Sequence, residues 1–171
     1  MWWGFGYVKA EADENGEFRL SGLDFQADPV VFTDDLTSML RLRRRMQSVC
    51  LDANGVEERT YASDEVLLAP GWDESERIRM TRTPFRAQNR DDSGWFIEPL
   101  PIAPERAGDG DRAAAWPPEL LCWERAGRLV AVREEAVHVM NLPAGYTVDL
   151  DAEGMVQIVA DDGKVVFDRT G

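Results

Sequence analysis

Apolar positions along the chain recur mostly at every second residue, the period of half-buried β-strands, and in only two stretches at helical spacing. The first pattern is a β-hairpin. Phe5 to Ala10 and Phe18 to Phe25 flank Glu14-Asn15-Gly16, and Asn-Gly is the strongest short hairpin signal because both residues tolerate positive φ. Phe18, Leu20, Leu23 and Phe25 are expected to supply the buried faces, with a turn or bulge at Ser21-Gly22 shifting the alternation. A helix follows. Thr33 is its expected N-cap, Asp34 and Asp35 fill the first turn, and Leu36, Met39 and Leu40 recur at helical spacing. Arg41-Leu42-Arg43-Arg44-Arg45 falls towards the C-terminal end, so acid first and base last complement the helix dipole.

Ser48 to Leu51 then leads to a turn at Asp52-Ala53-Asn54-Gly55 and an extended segment reaching Leu68, which Pro70-Gly71 breaks. Arg77 to Thr83 sets Ile78 and Met80 among arginines, as a half-exposed strand does. Trp95-Phe96-Ile97 reads as a short strand closed by Pro99 and Pro101. Five of the nine prolines lie from Pro99 to Pro118, around Gly108-Asp109-Gly110-Asp111, and a loop of that length is functional or mobile. In the last third, Leu120 to Glu124 and Leu129 to Val132 read as strands flanking Ala126-Gly127. Glu134 to Leu142 reads as a short helix ended by Pro143. Tyr146, Val148 and Leu150, then Val156 and Ile158, then Lys164 to Phe167 mark further strands, with turns at Gly154 and Gly163. The pattern predicts an α+β fold, mostly antiparallel sheet with one or two helices. It fits a single domain over 1–171, with residues 1–47 a candidate hairpin-helix subunit.

Charge changes the picture more than composition does. Lys and Arg number 19 against 32 Asp and Glu, for a net charge of −13. Such a surface repels phosphate backbones, which argues against nucleic-acid binding, and it steers basic partners into contact. Two cysteines, Cys50 and Cys122, are too few for the disulfide framework of a small secreted domain. The opening apolar residues follow no basic run of the signal-peptide kind, and no stretch approaches the roughly 20 apolar residues of a membrane span. A cytoplasmic protein that does not engage membranes is expected.

Catalytic and metal-binding signatures are weak. His138 is the only histidine and sits in the apolar run Val137-His138-Val139-Met140, which suits a structural role better than a general base. Cys50, Cys122 and His138 lack the close-spaced pairing of zinc ligands, and both cysteines read as small buried hydrophobes. Asp149-Leu150-Asp151-Ala152-Glu153-Gly154 opens like a calcium loop, but its twelfth position is Ala160 rather than Glu, so a strand-turn-strand explains it better. The glycines form no phosphate-binding fingerprint. No cofactor, metal or catalytic residue is expected, and the chain reads as a non-enzyme.

The most informative stretch runs from Arg82 to Phe96 and contains Asp91-Asp92-Ser93-Gly94-Trp95. Asn, Asp, Ser and Gly together make a tight turn, after which Trp95 enters a strand with a large apolar area to bury. This stretch resembles the acidic immunity proteins of bacterial polymorphic-toxin systems, in the group marked by an Asp-Ser-Gly-Trp motif, here Asp92-Ser93-Gly94-Trp95. The likeness extends to the preceding arginine-containing strand, Arg77 to Arg82, and to Tyr61-Ala62-Ser63-Asp64-Glu65-Val66-Leu67 before it. It takes in Leu142-Pro143-Ala144-Gly145 downstream and covers roughly residues 60–98. The resemblance implies an α+β fold and neutralisation of a cognate protein toxin, probed first at Asp91, Asp92 and Trp95 as partner-binding residues, with acidic steering and an aromatic anchor. The alternative is a regulatory or adaptor module binding another protein through the proline-containing loop; an enzyme built on carboxylates would need convergent Asp or Glu side chains in a deep pocket.

Overall fold

Side-chain alternation along the strands decides which residues meet the helices. A computed structural model of the chain describes residues 2–3, 6–25, 27, 31–53, 56–84, 91–102 and 112–170, with side chains from residue 8 onward. A four-stranded antiparallel sheet, in the order β1 (Trp2–Trp3), β2 (Gly6–Ala12), β3 (Phe18–Asp24), β4 (Val31–Thr33), comes first. Helix α1 (Thr37–Ala53) follows, then β5 (Glu65–Leu68), β6 (Arg77–Arg82), β7 (Asp92–Leu100) and β8 (Cys122–Arg125). Helices α2 (Ala126–Val132) and α3 (Glu134–His138) precede β9 (Thr147–Asp151), β10 (Gly154–Val159) and β11 (Val165–Asp168). The second sheet has seven strands in the order β11-β10-β9-β6-β7-β5-β8. Among the described strands every pairing is antiparallel except that of β5 with β7. The fold is α+β, as the pattern predicts.

The three helices cover one face of the seven-stranded sheet. Leu42, Met46, Val49 and Cys50 of α1, Leu129 of α2 and Val137 of α3 close over Val66, Ile78, Met80, Trp95, Ile97, Val148 and Leu150. Full burial of a side chain such as Met46 contributes about 1.5–3 kcal/mol. The opposite face carries Leu67, Ala69 and Phe96 and is partly covered by Ala113 of the short 3-10 turn Arg112–Ala115 and by Trp116 just after it. That cover is tied down electrostatically. Glu98, 1% exposed, takes Arg112 Nε at 2.8 Å and Nη2 at 3.0 Å, and the Trp116 indole N–H at 3.1 Å. Arg79 lies directly across from Glu98 on one side and Asp149 on the other, and it holds Asp149 with bonds of 2.7 and 2.9 Å.

Several expectations are corrected. Phe18 and Leu20 are exposed, and only Phe25 of the four hairpin residues is fully buried; the hairpin tip extends beyond α1. The helix starts at Thr37, not directly after Thr33, because Thr33 Oγ1 caps Asp35 N–H and Asp35 Oδ1 caps Thr37 N–H in a separate turn. It continues through Ser48–Leu51, so the arginine run lies in its first half and complements no dipole. Arg43 instead forks onto Glu57, one bond measuring 3.0 Å, and this pairing holds the Glu57 carboxyl below its ordinary value. Because α1 runs through position 47 and packs into the main core, no boundary falls there. Leu129–Val132 is helical, since one turn of α2 buries Ala126, Leu129 and Val130 together. The strand around Trp95 has nine residues and passes through Pro99. Phe5, Asn54-Gly55 and the loop centre at residues 103–111 lie outside the described residues. Among the described residues no helix is long and apolar enough to cross a membrane.

Candidate functional site

The Asp-Ser-Gly-Trp turn is built by its own side chains. Asp92 Oδ1 accepts the Gly94 N–H at 2.7 Å, Ser93 Oγ accepts the Trp95 N–H at 3.2 Å, and the Ser93 hydroxyl donates to Glu65 O at 2.7 Å. Gly94 has φ +78°, and a Cβ there would lie 2.3 Å from Thr83 O. Both the backbone angle and the close approach of the two strands therefore require glycine. Thr83 N–H then donates to Gly94 O at 2.9 Å, which closes β6 onto β7.

Beneath this turn lies Arg82, 4% exposed. Its place follows from strand parity: Ile78, Met80 and Arg82 share a face, and that face is the core. The guanidinium is enclosed by carbonyls. Nη1 donates to Glu58 O at 2.8 Å, Met140 O at 3.2 Å and Leu142 O at 2.6 Å, and Nε donates to Ser93 O at 3.2 Å. Its carbon sits 5.7 Å from the Trp95 ring centroid, a cation–π contact. The Trp95 indole N–H and the Thr60 hydroxyl also donate to Met140 O, at 3.0 and 2.6 Å. Arg82 O and N–H bond Gly145 N–H at 2.7 Å and Tyr146 O at 2.9 Å. One node thus joins the strand after Ser63-Asp64, the arginine strand, the Asp-Ser-Gly-Trp turn and Leu142-Pro143-Ala144-Gly145.

The three predicted partner-binding residues separate. Asp91 is exposed at the rim, and its carbonyl accepts Glu65 N–H. Trp95 is 1% exposed and Asp92 5%, so neither presents contact surface. Trp95 is a core residue, because its indole fills the space between the sheet and the carbonyl of Met140. Asp92 Oδ2 is buried with no hydrogen-bond partner, beside Asp64 and Arg82. Burial, reinforced by the like charges of Asp91 and Asp92, holds the Asp64 carboxyl above its ordinary value. Positions 85–90 of the same stretch lie outside the described residues.

The remaining candidates fall into place individually. His138 Nε2 lies 3.3 Å from Glu134 Oε1, and burial holds its pKa below the ordinary histidine value. Cys50 is buried, its thiol pushed up to about 11 by burial. Cys122 is exposed on the edge strand β8, contrary to its reading as a buried hydrophobe, because edge position leaves one flank of the strand uncovered. The acidic run at Asp149–Gly154 is the β9–β10 hairpin, with Asp151 Oδ1 accepting Glu153 N–H at 2.9 Å. Among the described residues no group of three or more His, Cys, Asp or Glu is arranged to hold a metal ion. In the cavity of about 440 Å³ beside β6 the carboxylates are Glu76 and Asp149, and Asp149 is already engaged by Arg79.

No protein-family model, no curated protein and no solved structure matches the chain.

Proposed function

We propose that this chain is an immunity-type protein that binds and neutralises a cognate bacterial toxin, with an acidic surface matched to a basic one. The observation that carries the reading is convergence. Four separate stretches resemble the immunity group, and all four meet at the Arg82 node. A chance Asp-Ser-Gly-Trp tetrapeptide in an unrelated turn would have no reason to bring the other three with it. The net charge of −13 supports the same reading through steering of a basic partner.

Under this reading the motif residues hold the scaffold and do not touch the toxin. Arg82, Asp92 and Trp95 fix the rim on which Asp91 is displayed, and neutralisation works by occupancy. The test is co-expression with the product of the adjacent gene, followed by pull-down and a growth-rescue assay. A salt-sensitive complex that restores growth is expected. Absence of both binding and rescue would refute the reading.

A further inference from the structure

Phe18 is 78% exposed, more than any other large apolar side chain among the described residues. It belongs to a strip. Pairing of β2 with β3 sets Phe18 opposite Ala12 and Leu20 opposite Ala10, on one face, and all four are exposed. Single exposed apolar residues need no explanation, whereas a contiguous strip marks a binding surface. Gly22 lies on the same face, and there a Cβ would come within 2.9 Å of Leu36 Cδ2 and 3.2 Å of Met39 Sδ. The start of α1 therefore covers this face at Gly22, and Leu20 and Phe18 project past the cover.

The strip ends in an ordered acidic turn. Asp13 N–H donates to Glu17 O at 2.8 Å and Gly16 N–H to Asp13 O at 3.0 Å. Asp13 Oδ1 also accepts the N–H groups of Asn15 and Glu17, at 2.8 and 2.9 Å. These four internal bonds preorganise the tip. The two bases of the hairpin are already engaged, Lys9 by Glu11 at 2.6 Å and Arg19 by Asp34. Glu14 and Glu17 form no ion pair among the described residues.

We propose that this hairpin tip is the surface that docks the toxin. Phe18 and Leu20 enter an apolar pocket whose rim carries Lys or Arg side chains, and these meet Asp13, Glu14 and Glu17. The proposal rests on the functional reading above. Charge complementarity selects the occupant: the chain's excess of acid continues into a tip whose own cations are spent on neighbours, so the matching surface is basic. Aromatic side chains are enriched at interface centres, and charged ones belong to the rim around them.

The test uses the full chain and the product of the adjacent gene. Phe18→Ser with Leu20→Ser removes the apolar strip, and Glu14→Lys with Glu17→Lys reverses the rim; circular dichroism and a urea midpoint establish that each variant is folded. The serine pair is expected to weaken binding by about 30-fold or more, mainly through faster dissociation. The lysine pair is expected to slow association about 10-fold or more and to flatten its salt dependence. Leu51→Ser, an exposed apolar position on α1, should bind as wild type does. If both hairpin variants bind within about threefold of wild type, or if Asp91→Asn alone abolishes binding, the toxin docks elsewhere and this proposal fails while the immunity reading stands. If the wild-type chain neither binds nor rescues growth, both fail. A wild-type dimer that the serine pair turns into a monomer would make the occupant a second copy and overturn the proposal.

Discussion

Replacing Arg82 by methionine tests whether the buried guanidinium holds the second sheet to the loop that follows α3. The methionine stem retains contact with Trp95 and removes every donor. Met140 O keeps the Thr60 hydroxyl and the Trp95 indole. Glu58 O and Leu142 O lose the bonds of 2.8 and 2.6 Å that Arg82 supplies, and an orphaned buried carbonyl costs about 1–3 kcal/mol. Glu58 also loses its ion pair with Arg82 at 3.4 Å and Asp64 a favourable charge, while relief of the guanidinium's own desolvation offsets part of the sum. The net loss is about 3–4 kcal/mol, in the range for removing one member of a buried charge network. Against a total of about 5–15 kcal/mol this is large. It corresponds to about 10 °C in Tm for a chain of this size, or about 1.5 M in urea midpoint at a slope near 2 kcal/mol/M. Arg82→Lys keeps the charge but not the fork, and about 1.5 kcal/mol or more should still be lost. Equilibrium urea unfolding by circular dichroism measures both. A methionine variant shifted by less than about 0.5 M, or a lysine variant equal to wild type, would show that the carbonyl cage is not what Arg82 contributes.

Other substitutions probe the surroundings of this node. Gly94→Ala should cost about 2–4 kcal/mol, from the left-handed backbone and a Cβ placed 2.3 Å from Thr83 O; an unchanged urea midpoint would contradict that approach. Glu98→Ala takes the carboxylate from the half-buried Arg112 and from the Trp116 indole and should cost about 2–4 kcal/mol, with hydrogen exchange speeding up at Ala113–Trp116. Burial raises the Asp64 carboxyl above its ordinary value of 3.8, so its ionised form opposes folding above the folded pKa, and the penalty fades as pH falls towards 3.8. Wild type should therefore gain stability relative to Asp64→Asn as the pH falls from 7 to 3.8, and a pH-independent difference between their urea midpoints would rule this out.

Where burial is one-sided, the strands were legible from alternation alone: β6, β9 and β10 appear at Ile78 and Met80, Val148 and Leu150, and Ile158. The Asn15-Gly16 hairpin was equally readable, because its turn chemistry is local. Helix α2 was not, since Gly127, Val130 and Val132 disfavour helix and only packing against Ala62 and the sheet overrides them. Parity along β6 could have placed Arg82 inward with Ile78 and Met80, a signal masked by the habit of reading arginine as solvent-facing. The Glu98–Arg112–Trp116 cluster left no trace, because its partners are joined across a proline-containing loop with no period of its own. The roles of Asp92 and Trp95 were misread for a related reason. A turn motif announces its local geometry but not whether the rest of the chain will cover it.

The Arg82 node also sets a condition on biosynthesis. Its acceptors at Met140 and Leu142 and its donor at Gly145 are made long after Arg82 and Trp95 themselves. At about 5–20 residues per second, roughly 2–10 s separate the appearance of Trp95 from that of Leu142 on the ribosome. Throughout that interval Arg82 has Glu58 O and Ser93 O to donate to but lacks Met140 O and Leu142 O, and the Trp95 indole N–H lacks Met140 O. A chain terminated before Met140 lacks these bonds and is expected to be cleaved by proteases faster than the full chain. Only a nearly finished polypeptide can complete this node.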